Sequence, residues 1–207
     1  MTGPGFDRER AFFAAGARVV AGVDEVGRGP LAGPVVAAAV VLDPERLPLG
    51  ANDSKKLSAR ARDELFEIIA RDARAIAIGY GSVAEIERIN IRAASLLAMR
   101  RAIEALTLAP DMALIDGNVL PPDLPCPARA IVKGDAISLS IAAASIVAKV
   151  TRDRLMARLH LLHPEYGFDR HAGYGTAAHL KALAEHGATD CHRRDFAPVA
   201  AALARSR

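Results

Sequence analysis

The sequence predicts an α/β protein, and three observations support that class. Short β-branched apolar segments alternate along the chain with longer segments in which apolar residues recur at helical spacing. The 207 residues are enough for one domain with a sizeable core, and 51% of them are hydrophobic. No internal repeat, low-complexity tract or linker divides the chain. We therefore expect strands mixed with helices in two or three layers, with residues 1–207 as a single domain.

The strands are predicted from short runs of β-branched and apolar residues that end at turn-forming residues. The five predicted strands cover residues 18–23, 35–42, 75–83, 112–115 and 130–132. The second run stops at Asp43-Pro44, a turn signal. In the third, Ile76, Ile78 and Tyr80 alternate with smaller residues, which is the period of a half-buried strand.

The helices are predicted from apolar stripes at helical spacing and from capping residues. They are expected in residues 1–17, 58–71, 84–88, 91–106, 138–160 and 176–186. Ser58 is a suitable N-cap for the second helix, and Gly187 ends the last one. Residues 164–175 are rich in glycine and aromatic rings, so we expect them to form a loop.

Composition limits the class of function. The formal net charge of +3 is mildly basic and compatible with nucleic-acid binding. No uncharged apolar run is long enough to cross a bilayer, and residues 1–10 have no secretory apolar core. The two cysteines, Cys126 and Cys191, lie outside any metal-binding spacing and are expected to stay reduced. We expect a cytoplasmic protein that does not associate with membranes.

Two adjacent acids, Asp24 and Glu25, follow the first predicted strand and give the sharpest functional signal. Carboxylates beside a buried strand repel each other and lose hydration, so they need a compensating cation. Hard divalent cations take carboxylate oxygens as ligands. The alternative is a pair of surface acids at a strand end, which the apolar residues on both sides disfavour.

The turn that follows the acids consists of Gly27, Arg28 and Gly29. It offers flexible backbone amides and a guanidinium, and both groups suit phosphate. An acid pair beside a phosphate-binding turn indicates metal-assisted phosphodiester chemistry.

Two further acids, Asp116 and Asp135, each follow a short predicted strand. Asp116-Gly117 is also an ordinary turn signal, and an aspartate before a helix is often only its N-cap. In α/β sheets, however, ligands gather at strand ends, so these acids can converge with the first pair. Four carboxylates could hold two Mg²⁺ or Mn²⁺ ions.

Other candidates for nucleic-acid contact are less specific. Lys55 belongs to a polar loop that could contact phosphates or could simply be solvated. Ser145, Lys149 and Arg152 recur at helical spacing, so this helix face could meet nucleic acid or could be an ordinary solvent stripe. The aromatic rings of residues 163–176 could stack on a sugar or base, or could pack the loop.

Taken in order, these motifs resemble the signature blocks of the type 2 ribonucleases H, the family that includes bacterial ribonuclease HII. The matching blocks are residues 22–35, 53–58, 114–118, 133–135, 143–153, 163–176 and 192–194. Each block alone is weak, whereas the ordered set is highly specific. The resemblance covers about residues 18–199.

The resemblance implies a ribonuclease H-like fold, with a central five-stranded mixed sheet, flanking helices and a C-terminal helical extension. It implies a metal-dependent endoribonuclease that cleaves the RNA strand of RNA–DNA hybrids. It also implies nicking of duplex DNA 5′ of a single embedded ribonucleotide, giving 5′-phosphate and 3′-hydroxyl ends. The metal ligands would hold two Mn²⁺ or Mg²⁺ ions and would be Asp24, Glu25, Asp116 and Asp135.

The resemblance also implies roles in substrate binding. Gly27, Arg28 and Gly29 would read the ribose 2′-hydroxyl, largely through their backbone. Tyr174 would stack on the sugar beside the ribonucleotide and hydrogen-bond the turn, with Tyr166 as the weaker candidate. Lys55, Ser145 and Lys149 would be further substrate-binding residues.

The sequence departs from the family pattern at Ala172, Asp195 and Ile137, where positive charge is lost or negative charge is added. These departures affect the expected affinity and its salt dependence rather than catalysis. Residues after Pro198 contain no aromatic sliding-clamp peptide, and nothing indicates an obligate dimer, so we expect a monomer.

Two alternatives remain open at this point. One is another metal nuclease of the same fold, such as a resolvase or a ribonuclease HI-type enzyme, which the Gly-Arg-Gly turn disfavours. The other is a non-catalytic binder of RNA–DNA hybrids with a degenerate site, which the four carboxylates disfavour.

Overall fold

A five-stranded mixed sheet organises the chain, in a computed structural model that describes residues 3–205. The strands are β1 (Val20–Val26), β2 (Val35–Val41), β3 (Ala75–Gly81), β4 (Met112–Asp116) and β5 (Ala128–Ile131). Their order in the sheet is β3-β2-β1-β4-β5. β1, β2 and β3 pair antiparallel, whereas β4 and β5 run parallel to β1. The expected five-stranded mixed sheet is confirmed.

Helices cover both faces of this sheet and extend beyond it. They are α1 (Asp7–Ala14), α2 (Ala59–Asp72), α3 (Val83–Glu104), α4 (Leu139–Leu162), α5 (Phe168–His171), α6 (Ala177–His186) and α7 (Ala197–Arg205). The predicted caps are present, because the Ser58 side chain accepts a hydrogen bond from the Ala61 amide at 3.2 Å and Gly187 ends α6. Among residues 3–205 no helix has both the length and the apolarity that crossing a bilayer requires.

Three differences between the predicted and the observed elements have a tertiary cause. β1 continues through the acid pair to Val26, because that segment stays paired with β2. The segment predicted as loop at 164–175 contains a 3-10 turn and α5. Both pack in the C-terminal lobe, the apolar cluster that α5, α6 and α7 form with the second half of α4. α7 was not predicted at all, and its Val199 and Ala202 are buried in that same lobe. Short helices of this kind are stabilised by packing rather than by propensity.

A kink at Asn90 divides α3, where two separate helices were predicted. Asn90 has a positive φ of 67°, which ends the first half of the helix. Its side-chain oxygen accepts hydrogen bonds from the amides of Arg92 and Ala93 at 3.0 and 3.1 Å, so it caps the second half. The kink lies beside the sheet edge that carries the acids, and it sets the direction of the second half of α3.

The core consists of two layers on either side of β1 and β2. α3 packs against one face of the sheet, where it meets alternate alanines and valines of β1 and β2. α2 and α4 cover the opposite face. Every residue of β2 is buried, as expected for a strand covered on both faces. α4 lies directly against β1, and a Cβ on Gly22 would overlap the Ser140 carbonyl. This close approach fixes the distance between α4 and the part of β1 that carries the acid pair.

The C-terminal helical extension is also present. α5, α6 and α7 pack with the second half of α4 and with residues 31–32 around a separate apolar cluster. Its members include Met156, Tyr166, Phe168 and Leu183, all nearly inaccessible to solvent. The extension therefore packs directly on the turn that follows β1.

We predict that Gly22→Ala destabilises the protein by about 1–3 kcal/mol or more, because the added methyl overlaps α4 backbone that cannot move away. Urea unfolding followed by circular dichroism measures the change. Gly3→Ala is the matched control, because the atom nearest to its added Cβ lies 3.8 Å away. Equal stability of the two variants would contradict the close packing of β1 on α4.

Candidate active site

Strand pairing brings three of the predicted acids to one edge of the sheet. β1 and β4 are parallel neighbours, with Val23 opposite Ile115. Asp24 and Asp116 are the next residues of these strands, so they lie side by side where β4 ends, while β1 continues to Val26. Asp24 is only 6% exposed, and the Glu25 side chain is 13% exposed.

The fourth predicted acid, Asp135, reaches the same edge through a short 3-10 turn that covers Gly134–Ala136. The Gly134 amide donates a hydrogen bond to Asp116 Oδ1 at 2.7 Å, which ties this turn to the end of β4. Lys133 adopts a left-handed conformation (φ 56°) that allows the chain to reverse there. The structure therefore brings all four predicted carboxylates into one neighbourhood.

The environment of these acids disfavours their charged forms. Burial raises the pKa of Asp24 well above its usual value, and the charges of Glu25 and Asp116 raise it further. Burial also raises the pKa of Glu25, against the opposing effect of the Arg28 guanidinium. Burial and the neighbouring Asp116 raise the pKa of Asp135. Negative charge is thus concentrated where little protein charge compensates it.

This donor set fits a hard divalent cation. All four groups offer carboxylate oxygens, and their mutual repulsion is the kind that a bound cation relieves. The described residues contain no ready-made cluster of three metal-ligating side chains. Holding an ion would therefore require side chains to turn toward a common point.

The Gly-Arg-Gly turn stands beside the acids. Gly27 has a φ of +95°, and its α-carbon packs so tightly on Arg152 that a Cβ would lie 2.6 Å from Arg152 Cδ. Only glycine is tolerated at that position. The exposed Arg28 guanidinium lies 3.4 Å from Glu25 Oε1, so it is the cation that faces the acid pair.

The two candidate tyrosines have different environments. Tyr166 is 2% exposed and its hydroxyl donates to the Gly187 carbonyl at 2.8 Å, so it belongs to the C-terminal core. Tyr174 is 42% exposed, and a Cβ on Gly29 would lie 3.5 Å from its ring. Backbone links its segment to the turn, because the Leu31 amide donates to the Gly173 carbonyl at 2.8 Å. Within residues 3–205 the Tyr174 hydroxyl does not hydrogen-bond the turn.

The other substrate-binding candidates surround the acids at different depths. Ser145 is 6% exposed and bonds Ser54 Oγ at 3.0 Å, and its hydrogen bond lowers the pKa of Asp24. Ser145 is therefore placed to support an acid rather than to lie on the surface. Lys55 is exposed, and its charge lowers the pKa of Asp135. Lys149 bonds Asp153 at 2.6 Å and lines a groove that also contains Tyr174.

Arg152 does not face solvent or nucleic acid, which corrects the prediction that it shares an outer face with Lys149. Its side chain is completely buried and donates to the carbonyls of Ala32, Pro34 and Ala172 at 3.0, 3.1 and 2.9 Å. The C-terminal extension folds over this part of α4. Helical spacing could not reveal that Arg152 is buried. The residues that cover it are Ala32 and Pro34, more than a hundred positions away, and Ala172, which follows α5.

Sequence reasoning missed two candidate residues of this site, Arg193 and Arg92. Arg193 is fully buried and donates to carbonyls of the Gly-Arg-Gly turn, up to 166 positions away in sequence. Arg92, exposed on α3, lines a cleft of about 140 Å³ together with Glu25, Arg28 and Asp116. The sequence signal that could have indicated Arg92 is Asn90. A helix break at Asn90 changes the direction of the helix that carries Arg92.

Comparison with known proteins agrees with this geometry. Residues 21–199 match the family model described as Ribonuclease HII. The chain is 60% identical over 185 residues to Ribonuclease HII of Burkholderia vietnamiensis, covering 89% of this chain and 85% of that protein. It is 57% identical over 201 residues to Ribonuclease HII of a Jannaschia species, covering 97% and 98% of the two chains.

The fold has a close counterpart among solved structures. The crystal structure of ribonuclease H2 from Pyrococcus horikoshii superposes with a TM-score of 0.75 at 28% identity, covering 90% of this chain and 98% of that one. The ribonuclease H-like fold expected from the sequence is confirmed.

We predict that Asp24→Asn stabilises the metal-free protein at neutral pH. The raised pKa means that folded Asp24 holds its proton to higher pH than the unfolded chain does, so stability falls as pH rises above the usual value of 3.8. Removing this charge should add on the order of 1 kcal/mol, or about 2–4 °C in Tm. Thermal unfolding at neutral pH measures the gain.

The gain should shrink as the pH falls toward and below 3.8, because the carboxyl is then increasingly protonated in the unfolded chain as well as in the folded protein. Asp190→Asn is the matched control, because the side chain of Asp190 is 99% exposed. A loss of stability in Asp24→Asn at neutral pH would contradict the repulsion that we assign to this cluster.

Proposed function

Because the chain belongs to the ribonuclease HII family and is an endonucleolytic ribonuclease H, we propose that it nicks duplex DNA 5′ of a single embedded ribonucleotide, besides cleaving the RNA strand of RNA–DNA hybrids. The products carry 5′-phosphate and 3′-hydroxyl ends. The observation that supports this most is the position of the Gly-Arg-Gly turn, directly beside four carboxylates and under the exposed ring of Tyr174.

The reaction depends on divalent metal, Mn²⁺ or Mg²⁺, with two ions in the active complex. The ligands in this proposal are Asp24, Glu25, Asp116 and Asp135. Bound by these four carboxylates, such ions would supply activation of the attacking water and charge stabilisation at the leaving oxygen of the phosphodiester. The protein contributes the strand backbone that carries Asp24, Glu25 and Asp116, and the Gly134 amide holds the Asp116 carboxylate through a hydrogen bond at 2.7 Å.

The turn identifies RNA through the 2′-hydroxyl, the group that distinguishes a ribonucleotide from a deoxyribonucleotide. Arg28 and Gly29 are exposed, and among residues 3–205 their amides have no backbone acceptor. These two N–H groups are therefore free to donate to the oxygen of a ribose. Tyr174 lies over Gly29, where its ring packs on the neighbouring sugar.

Positive side chains around the acids bind the phosphates of the duplex. Arg28 and Arg92 line the cleft on one side of the acids, and Lys55 and Lys149 lie toward the other side. Because phosphate contacts release counterions, affinity falls steeply with salt. Ala172 and the exposed Asp195 add no positive charge to this surface, so the affinity depends on the remaining cations.

We place the protein in the cytoplasm as a monomer that acts on nucleic acid alone. Cys126 and Cys191 are unpaired, which suits a reducing compartment. The end of the described chain forms α7, which packs in the C-terminal lobe through Val199.

We predict a single nick 5′ of the ribonucleotide when the protein meets a DNA duplex with one ribonucleotide and Mg²⁺ or Mn²⁺. An all-DNA duplex of the same sequence stays intact, and chelation of the metal abolishes the nick. Denaturing gels of end-labelled strands give the position and the end groups. Cleavage of a long RNA–DNA hybrid without a nick at the lone ribonucleotide would reassign the chain to another ribonuclease H class.

We predict that Tyr174→Ala lowers kcat/KM for the lone ribonucleotide by about tenfold to a hundredfold, the effect of losing a stacking contact worth about 1–3 kcal/mol. Its Tm should not change, because the ring is 42% exposed. Tyr174→Phe, which keeps the ring, should retain most activity. Tyr80→Ala is the matched control, since Tyr80 is equally exposed but lies on the edge strand β3. Equal loss in both alanine variants would refute the assignment.

A further inference from the structure

Arg193 binds the Gly-Arg-Gly turn from inside the protein. Its guanidinium is completely buried, and its described hydrogen bonds all go to backbone carbonyls. Nη2 donates to Gly27 at 2.6 Å, and Nη1 donates to Arg28 at 3.0 Å. Nε and Nη2 also donate to Gly33 at 2.9 and 2.8 Å. One planar group thus joins both ends of the segment that follows β1.

Burying this cation is costly. Desolvation, together with the nearby charge of Arg152, lowers the pKa of Arg193 to about 9, which still leaves the guanidinium charged at neutral pH. Among residues 3–205, no carboxylate accepts a hydrogen bond from Arg193 or Arg152. An apolar side chain would leave these buried carbonyls without a donor, so the hydrogen bonds to the Gly27, Arg28 and Gly33 carbonyls are what Arg193 contributes.

The direction of the carbonyls fixes the direction of the amides. In a trans peptide the C=O and the N–H of the same unit point in opposite directions, and the described chain has no cis peptide. The carbonyl of Gly27 shares its peptide plane with the amide of Arg28, and the carbonyl of Arg28 shares its plane with the amide of Gly29. Drawing both carbonyls inward to Arg193 therefore turns both amides outward.

We propose that Arg193 is a positioning residue for ribonucleotide recognition, which aims the amides of Arg28 and Gly29 at the ribose 2′-hydroxyl by holding the carbonyls of Gly27 and Arg28. This inference rests on the proposed role of the turn and adds the residue that gives the turn its orientation. Arg193 itself touches no substrate, because it has no exposed surface.

The test compares Arg193→Lys with the wild type. Lysine keeps the positive charge but lacks the planar fork that reaches several carbonyls at once. We expect kcat/KM for nicking at a lone ribonucleotide to fall about tenfold or more, the effect of losing one hydrogen bond to a charged group. Affinity for an all-DNA duplex of the same sequence should change by no more than about twofold. A parallel loss of both quantities would mean that Arg193 only stabilises the fold.

Arg152→Lys is the matched control. Arg152 is equally buried and also binds carbonyls, but those of Ala32, Pro34 and Ala172 rather than those of Gly27 and Arg28. It should lower Tm as much as Arg193→Lys does, with a smaller loss in nicking. Equal loss of nicking in the two variants at equal Tm would overturn the specific role of Arg193.

A second measurement does not depend on the folding of Arg193→Lys. In the Asp24→Asn background, which the proposed metal-ligand role of Asp24 makes inactive, the amide resonances of Arg28 and Gly29 are followed by NMR during titration with the two duplexes. We expect both to shift with the ribonucleotide duplex and to shift less with the all-DNA duplex. The same shifts with both duplexes would overturn the inference. Absence of nicking by the wild type would instead refute the proposed function, so the two failures are distinguishable.

Discussion

Repulsion among carboxylates that the fold removes from water is the constraint on which the site depends. The acids cannot move apart, because Asp24 lies within β1, Asp116 ends the neighbouring parallel strand β4, and Gly22 presses β1 against α4. Burial and mutual charge raise the pKa of Asp24 well above its usual value. The surrounding structure supplies only partial compensation, through Arg28 and the Ser145 hydroxyl. Buried carboxylates whose repulsion is only partly compensated favour a bound divalent cation, toward which their side chains would turn.

The C-terminal extension supports this site from its buried side. It covers the second half of α4, buries Arg152 and brings Arg193 beneath the turn that follows β1. Arg193 thereby replaces the solvent that would otherwise satisfy the carbonyls of Gly27 and Arg28, and Arg152 does the same for those of Ala32 and Pro34. The turn can then expose Arg28 and Gly29 while its Gly27 carbonyl remains buried. The sheet and α4 therefore hold the acid cluster, and the C-terminal extension holds the turn. The two features meet at one surface of the protein.

Local signals predicted most of the framework. Ser58 and Ser138 are the N-caps of α2 and α4, and each of the five strands overlaps a predicted strand, although β1 and β5 are shifted by up to three residues. The four acids were also found, because carboxylates at strand ends are visible in the sequence. α7 was missed because its stability comes from burial of Val199 rather than from its own propensity. Arg152 was misplaced because its cover comes from distant segments.

The sequence by itself determined the class of fold, the family and the candidate ligands, since periodicity, caps and ordered motifs are local properties of the chain. Only the tertiary structure decided which polar residues face outward. It buried Arg152, Arg193 and Tyr166, left Tyr174 exposed beside Gly29, and placed Arg92 in the cleft with Glu25. The physical reason is that burial and hydrogen-bond partners are set by segments up to 166 positions apart, which no local pattern encodes.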